Sequence, residues 1–166
     1  GSYSLGFPNR EVEQSFLNFL LPRYTGNTDN RSSAYIEYFV RDLRKGDIES
    51  FLNRLKIFFA DTPYELVRDL ENHYQNVMFT ICRLMGYYTK AEYHTSSGRI
   101  DMVVKAQQYV YVFEFKFNKT AEEALAQINA KDYPLPFGMD GQKTFKVGIN
   151  FSEETRNIDG YVWEEA

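Results

Sequence analysis

Two short runs constrain this chain more than any other stretch: Gly98-Arg99-Ile100-Asp101-Met102-Val103-Val104 and Val112-Phe113-Glu114-Phe115-Lys116. Both carry the β-branched and aromatic residues of strands and are bounded by polar turn residues. Gln107-Gln108 lies between them. A reversal there sets Ala106 against Tyr109 and Asp101 against Glu114. Directly opposed side chains share a face with Cβ atoms about 4.5–5.5 Å apart. Lys116, two residues beyond Glu114, points to the same face. The hairpin therefore gathers Asp101, Glu114 and Lys116, with the two carboxylates side by side.

Like charges directly opposed destabilise a strand pair, and a cation between them removes the conflict. Carboxylate oxygens suit Mg²⁺, which is commonly held by one or two carboxylates while phosphate and water fill the other positions. Such an ion polarises a phosphoryl oxygen and lowers the pKa of bound water, with a lysine in reach of the same phosphate. That is equipment for phosphodiester hydrolysis. A plainer reading stands beside it, in which the three residues form the solvated face of an amphipathic hairpin. Val103 and Val112 share that face, so it is not uniformly polar, while Tyr111, Phe113, Phe115 and Phe117 make the opposite face core-like. Gln-Gln is not a favoured two-residue turn. A longer loop centred there preserves the register and a bulge breaks it.

The pattern resembles the PD-(D/E)XK nuclease superfamily. Glu71-Asn72-His73-Tyr74 on a helix, Glu92, Gly98-Arg99-Ile100-Asp101, Glu114-Phe115-Lys116, Ala124-x-x-Gln127-Ile128 and Tyr133 are similar to one branch in particular. In that branch the nuclease domain lies C-terminal to a predicted AAA-type ATPase in bacterial proteins, and Gly6 to Val12 looks like the joining segment. The resemblance covers residues 60–152 best. It implies a restriction-endonuclease-like α/β core, in the order helix, three strands, helix, strand with a mixed sheet, plus an extra N-terminal helical segment. It also implies that Asp101, Glu114 and the Phe115 carbonyl hold Mg²⁺ or Mn²⁺, with Glu71, by its position alone a solvated glutamate at the helix edge, approaching the metal directly or through water. Lys116 would orient the attacking water. Gln127 would hydrogen-bond the DNA backbone or Lys116. Related exonuclease branches have Gln and Tyr four apart, whereas Tyr133 stands six beyond Gln127.

The rest of the chain sets bounds. Its 166 residues, 43% hydrophobic and 17% aromatic, suit one packed unit. A net charge of −4 argues against a protein that coats nucleic acid nonspecifically. The single cysteine, Cys82, excludes an internal disulfide and a cysteine-rich zinc site, and His73 and His94 are too few for a histidine zinc site. Nothing resembles a signal peptide or membrane span, and a cytoplasmic location is expected. Gly1-Ser2 reads as a cloning scar on part of a longer protein. Residues 3–61 read as a helical segment and 62–166 as the nuclease-like core.

Apolar spacing predicts helices over 10–22 (capped by Asn9), over 32–45, and from Asp47 through Phe59. Thr62-Pro63-Tyr64-Glu65 is a helix start, and the stripe from Leu66 to Leu84 carries that helix to Met85. His73 is a core or interface histidine or, less simply, a base. Strands are expected over Tyr87–Thr95, through Phe145-Phe151, and briefly at Tyr161-Val162-Trp163, with a helix over Ala121–Lys131. Glu92 faces either the site or water. Arg99 contacts a phosphate or pairs with Glu92. Lys131 is a phosphate-binding candidate, and Tyr133 a further substrate contact. No aromatic-basic pattern chooses single- from double-stranded DNA. From a different class of function, the chain is a non-catalytic module that uses its aromatic helices to pack against an ATPase domain or partner.

Overall fold

The computed structural model describes residues 31–60, 69–96, 99–131 and 141–166. The expected helix over 10–22, the Thr62-Pro63 helix start, Gly98 and Tyr133 lie outside them. Helix α1 spans Arg31–Arg44. Its end turns at Gly46, where φ is +76° and the Asp47 N–H donates to the Asp42 carbonyl at 2.9 Å. Asp47 then caps α2, Ile48–Ala60, by accepting the Ser50 N–H at 3.0 Å.

Helix α3 runs Leu70–Met85, which corrects the expectation of one helix unbroken from Thr62. Asp69 is extended, with φ −112° and ψ 90°, and its side chain accepts the Asn72 N–H at 3.1 Å. A local carboxylate cap starts the helix there, although the apolar stripe began earlier. The first strand is also shorter than expected. Tyr88 and Thr89 donate their N–H groups to the Met85 carbonyl at 2.9 Å, prolonging the helix end. Strand β1 therefore begins later, as Lys90–Ser96.

Strands β2 (Arg99–Ala106) and β3 (Tyr109–Phe117) follow, then α4 (Ala121–Ala130), β4 (Lys143–Ser152) and β5 (Asn157–Glu165). The sheet order is β1-β2-β3-β4-β5; only β3 and β4 run parallel. A parallel pair needs a crossover, and α4 supplies it. Thr120 and Glu123 form a reciprocal capping box at its start. Strand β5 is longer than Tyr161-Val162-Trp163 because it pairs with β4 nearly throughout. Its Tyr161 hydroxyl donates to Glu49 at 2.8 Å, tying the edge strand to α2.

The two faces of the sheet differ in chemistry. On one, Tyr111, Phe113 and Phe115 of β3 lie beside Phe145, Val147 and Ile149 of β4, all buried, and α1, α2 and α3 pack over them. Phe51 meets Phe113 with ring centroids 5.5 Å apart, and the Tyr111 hydroxyl donates to the Leu43 carbonyl at 2.6 Å. The aromatic stripes of α1 and α2 thus face inward; Phe39, Phe51 and Phe59 have no exposed surface. They form the core of the sheet's own layer, while Tyr38 of α1 and Ile57 of α2 stay exposed. Among the described residues no helix is long and apolar enough to cross a membrane.

The second face is covered by α4, through Ala121, Ala124 and Ile128. Gly148 on β4 makes the close approach possible. A Cβ there would stand 2.4 Å from the Ala121 carbonyl oxygen and 2.7 Å from the Leu125 nitrogen. Both are backbone atoms, so a methyl group can be accommodated only by moving the whole helix. Gly148→Ala is expected to cost on the order of 3 kcal/mol, read as a lower urea midpoint with an unchanged m-value. A cost below about 0.5 kcal/mol would show that α4 yields easily.

Candidate active site

Strands β2 and β3 pair in the register read from the sequence: Ala106 opposes Tyr109 and Asp101 opposes Glu114. The reversal is a tight two-residue turn in which Gln107 takes φ +54°. A side chain in that left-handed region costs about 1–3 kcal/mol, and the long hairpin offsets it. Side-chain alternation then puts Asp101, Glu114 and Lys116 on the α4 face.

The carboxylates are not a solvated stripe. Asp101 is 8% exposed and Glu114 is fully buried. Gly148 stands directly beside Glu114 in the β3–β4 register, so the close approach of α4 closes over the glutamate. The end of the same helix delivers a cation. Lys131 is the C-cap of α4, and its Nζ lies 3.3 Å from Asp101 Oδ2 and 3.6 Å from Glu114 Oε2. This lysine, expected to meet a substrate phosphate, bridges the two acids in the structure. One turn earlier on α4 is Gln127. Its Oε1 is buried and has no hydrogen-bond donor among the described residues.

Lys116 is half-buried on β3, opposite Asn150 of β4. It lines a small cleft with Phe115, Ile100 and, from α3, Glu71. Glu71 is exposed on α3 and shares only the lining of that cleft with Lys116. Among the described residues no three His, Cys, Asp or Glu side chains converge as a metal-binding group, so Asp101 and Glu114 stand as a pair. Glu92 is exposed, with an oxygen 3.6 Å from His94 Nε2. The Arg99 side chain lies outside the described part of the structure.

Hard oxygen donors in a facing pair match a divalent cation of the magnesium type. The buried, unsatisfied Gln127 oxygen adds an acceptor for water or an ammonium nearby. Asp101, Glu114 and the Phe115 carbonyl are thus compatible with holding such an ion.

Three features escaped sequence reading. His94 lies directly across from Asp101, on the same face. Lys90 faces Lys105 further along that ribbon, again on that face. Lys131 reaches the acids only because α4 folds back across the sheet. The first two follow from the β1–β2 register, which the chain advertises poorly because Ser96-Ser97-Gly98 allows several turn placements.

A mixed α/β fold with this opposed Asp–Glu pair, and a lysine two residues on, defines a restriction-endonuclease-like protein. Residues 69–161 match the model of the PD-(D/E)XK nuclease superfamily, and the chain belongs to that superfamily. It is also similar to an uncharacterized protein in the vnfD 5′ region of Azotobacter chroococcum mcd 1. The two are 30% identical over 169 residues, covering 98% of this chain and 33% of the relative. The chain therefore spans about a third of that relative's length. No solved structure matches the chain.

Two other reactive side chains are structural. The Cys82 thiol is buried and pushed up to about 12, which leaves it protonated and unreactive. His73 is 4% exposed, with the Phe59 ring edge-on at 6.4 Å. Burial pushes its imidazole down to about 4, so it is neutral in the folded protein at pH 7. Because the folded pKa lies below the ordinary 6.5, protonation favours the unfolded chain. Stability from this group is complete above pH ~6.5 and falls as pH drops toward ~4, by up to roughly 3 kcal/mol. Urea unfolding of wild type and His73→Gln across that window checks this. The mutant is expected to lose distinctly less stability on acidification, and parallel curves would exclude His73 as the titrating group.

Proposed function

We propose that this chain is a metal-dependent nuclease that hydrolyses phosphodiester bonds in DNA, with Asp101, Glu114 and Lys116 at its centre. The observation that carries the reading is the buried Asp101–Glu114 pair, opposed in strand register, with Lys116 on the same face. Two facing carboxylates with so little exposure are costly for a fold to keep without positive charge nearby, which Lys131 supplies in part. Asp101, Glu114 and the Phe115 carbonyl would hold Mg²⁺ or Mn²⁺, which when bound supplies a Lewis acid and a water of lowered pKa. Lys116 orients the attacking water and stabilises charge developing on the phosphate oxygens. Gln127 hydrogen-bonds the DNA backbone or Lys116. Glu71, across the cleft from Lys116, approaches the metal directly or through water. Arg99, Glu92, Lys131 and Tyr133 are assigned to substrate contact.

The proposal includes a covalently linked N-terminal AAA-type ATPase domain, joined through the helical segment 3–61, and a cytoplasmic setting. These rest on the resemblance of the branch-specific residues. The alternative, a catalytically inactive module docked through its aromatic helices, has less support. Phe39, Phe51, Phe58 and Phe59 are spent inside the core.

Titration calorimetry with Mn²⁺, run beside plasmid and single-stranded DNA cleavage, tests the reading. Wild type is expected to bind the ion and Asp101→Ala to lose at least tenfold in affinity. Lys116→Ala should keep binding and lose about 100-fold or more in cleavage. Absence of any Asp101-dependent binding at millimolar metal would end the catalytic proposal.

The same reading places a nucleic-acid strand along the α4-side face of the β1–β2 ribbon. Helix α4 packs mainly across β3, β4 and β5. Toward β1, that face presents Lys90 directly against Lys105. Opposed lysines repel as opposed acids do, and a phosphate between them relieves it. Lys105 is four residues from Asp101, about 13 Å along a strand, so the contact falls near the cleaved bond and not at it. The double variant Lys90→Glu/Lys105→Glu is expected to weaken DNA binding at least tenfold while Mn²⁺ affinity stays unchanged. Unchanged filter-binding curves at two salt concentrations would exclude this path.

A further inference from the structure

We propose that Lys131 is the site's resident counter-ion, competing with the divalent cation for Asp101 and Glu114 and so setting the metal concentration at which the site loads. The inference rests on the assignment of those two acids as metal ligands. It goes beyond a phosphate contact because of where the ammonium lies. Lys131 Nζ is 3.3 Å from Asp101 Oδ2 and 3.6 Å from Glu114 Oε2, bridging one oxygen of each. The Glu114 side chain is fully buried and that of Asp101 is 12% exposed, whereas the lysine side chain is 26% exposed. Of the three groups, the lysine is the most open to water. It is also the one whose backbone has left its element: Lys131 has φ −80° and ψ 115°, beyond the last helical residue, Ala130.

The electrostatics point the same way. Two buried carboxylates a strand apart need a positive charge, and an ammonium at the C-terminus of α4 is further favoured by the helix dipole. A divalent ion on the same oxygens would stand within a few ångströms of that ammonium, and the two repel in a site of low dielectric. Loading therefore requires the lysine to swing out. The apparent affinity is reduced by the fraction of molecules in which it has done so. Without the ion the lysine holds the acids in place; with the ion bound it is released toward solvent.

Mn²⁺ titration calorimetry without DNA tests this on wild type, Lys131→Met, Lys131→Gln, Lys131→Arg and Asp101→Asn, with thermal melts in EDTA alongside. The Met and Gln variants are expected to melt at lower temperature in EDTA and to bind Mn²⁺ about tenfold more tightly than wild type. The Arg variant should stay close to wild type. A lysine that only supports the local fold would move the melt and weaken the binding, so the sign of the affinity change decides. Equal or weaker Mn²⁺ binding by both neutral variants, with wild-type binding still sensitive to Asp101→Asn, overturns the counter-ion role alone. Failure of every protein to bind Mn²⁺ overturns the metal assignment, and this inference with it.

Discussion

A buried glutamate facing an aspartate across a strand pair is the constraint on which the architecture of this protein turns. Neither acid can be relocated without a slip in register, because one residue of slip would send every side chain of the strand to the other face. The register is anchored on the far side of the sheet. There Tyr111, Phe113 and Phe115 are packed under three helices, and a slip would exchange them for Val112, Glu114 and Lys116. The aromatic core and the acidic site are alternate residues of one strand, so the same force that buries the first positions the second.

The second layer works by proximity. Helix α4 approaches the sheet closely because Gly148 presents no side chain. That approach closes over Glu114, sets Gln127 above the same face and carries Lys131 to the acids. Burial raises the electrostatic stakes of each charge, since the low dielectric strengthens paired interactions and penalises isolated ones. A site of this kind is well suited to charge chemistry on a phosphate. Membership of the PD-(D/E)XK nuclease superfamily places it among proteins whose fold serves that chemistry.

Much of this was legible in the residues. The β2–β3 register, and with it the Asp101–Glu114 pairing, follows from two-residue alternation on either side of Gln107-Gln108, even though that turn sequence is unusual. The helical stripes of residues 32–59 were equally plain, because apolar spacing is a local signal. The errors fell where two local signals competed. The apolar stripe leading into α3 promised one long helix, and the Asp69 carboxylate reset its start. The aromatic run after Gly86 looked like strand, yet the final carbonyls of α3 claimed its N–H groups.

What the sequence determined by itself is the set of local periods: which strands alternate, which helices carry stripes, and which two acids must face each other across a hairpin. What only the tertiary structure decided is everything joined by the crossover. Lys131 is thirty residues from Asp101 along the chain, and no period links them. Whether its ammonium meets a phosphate or the acids depends on how deeply α4 settles, and that depth is set by Gly148 on another strand. A missing side chain has no pattern to read along the chain. Its effect exists only once the helix lies against it.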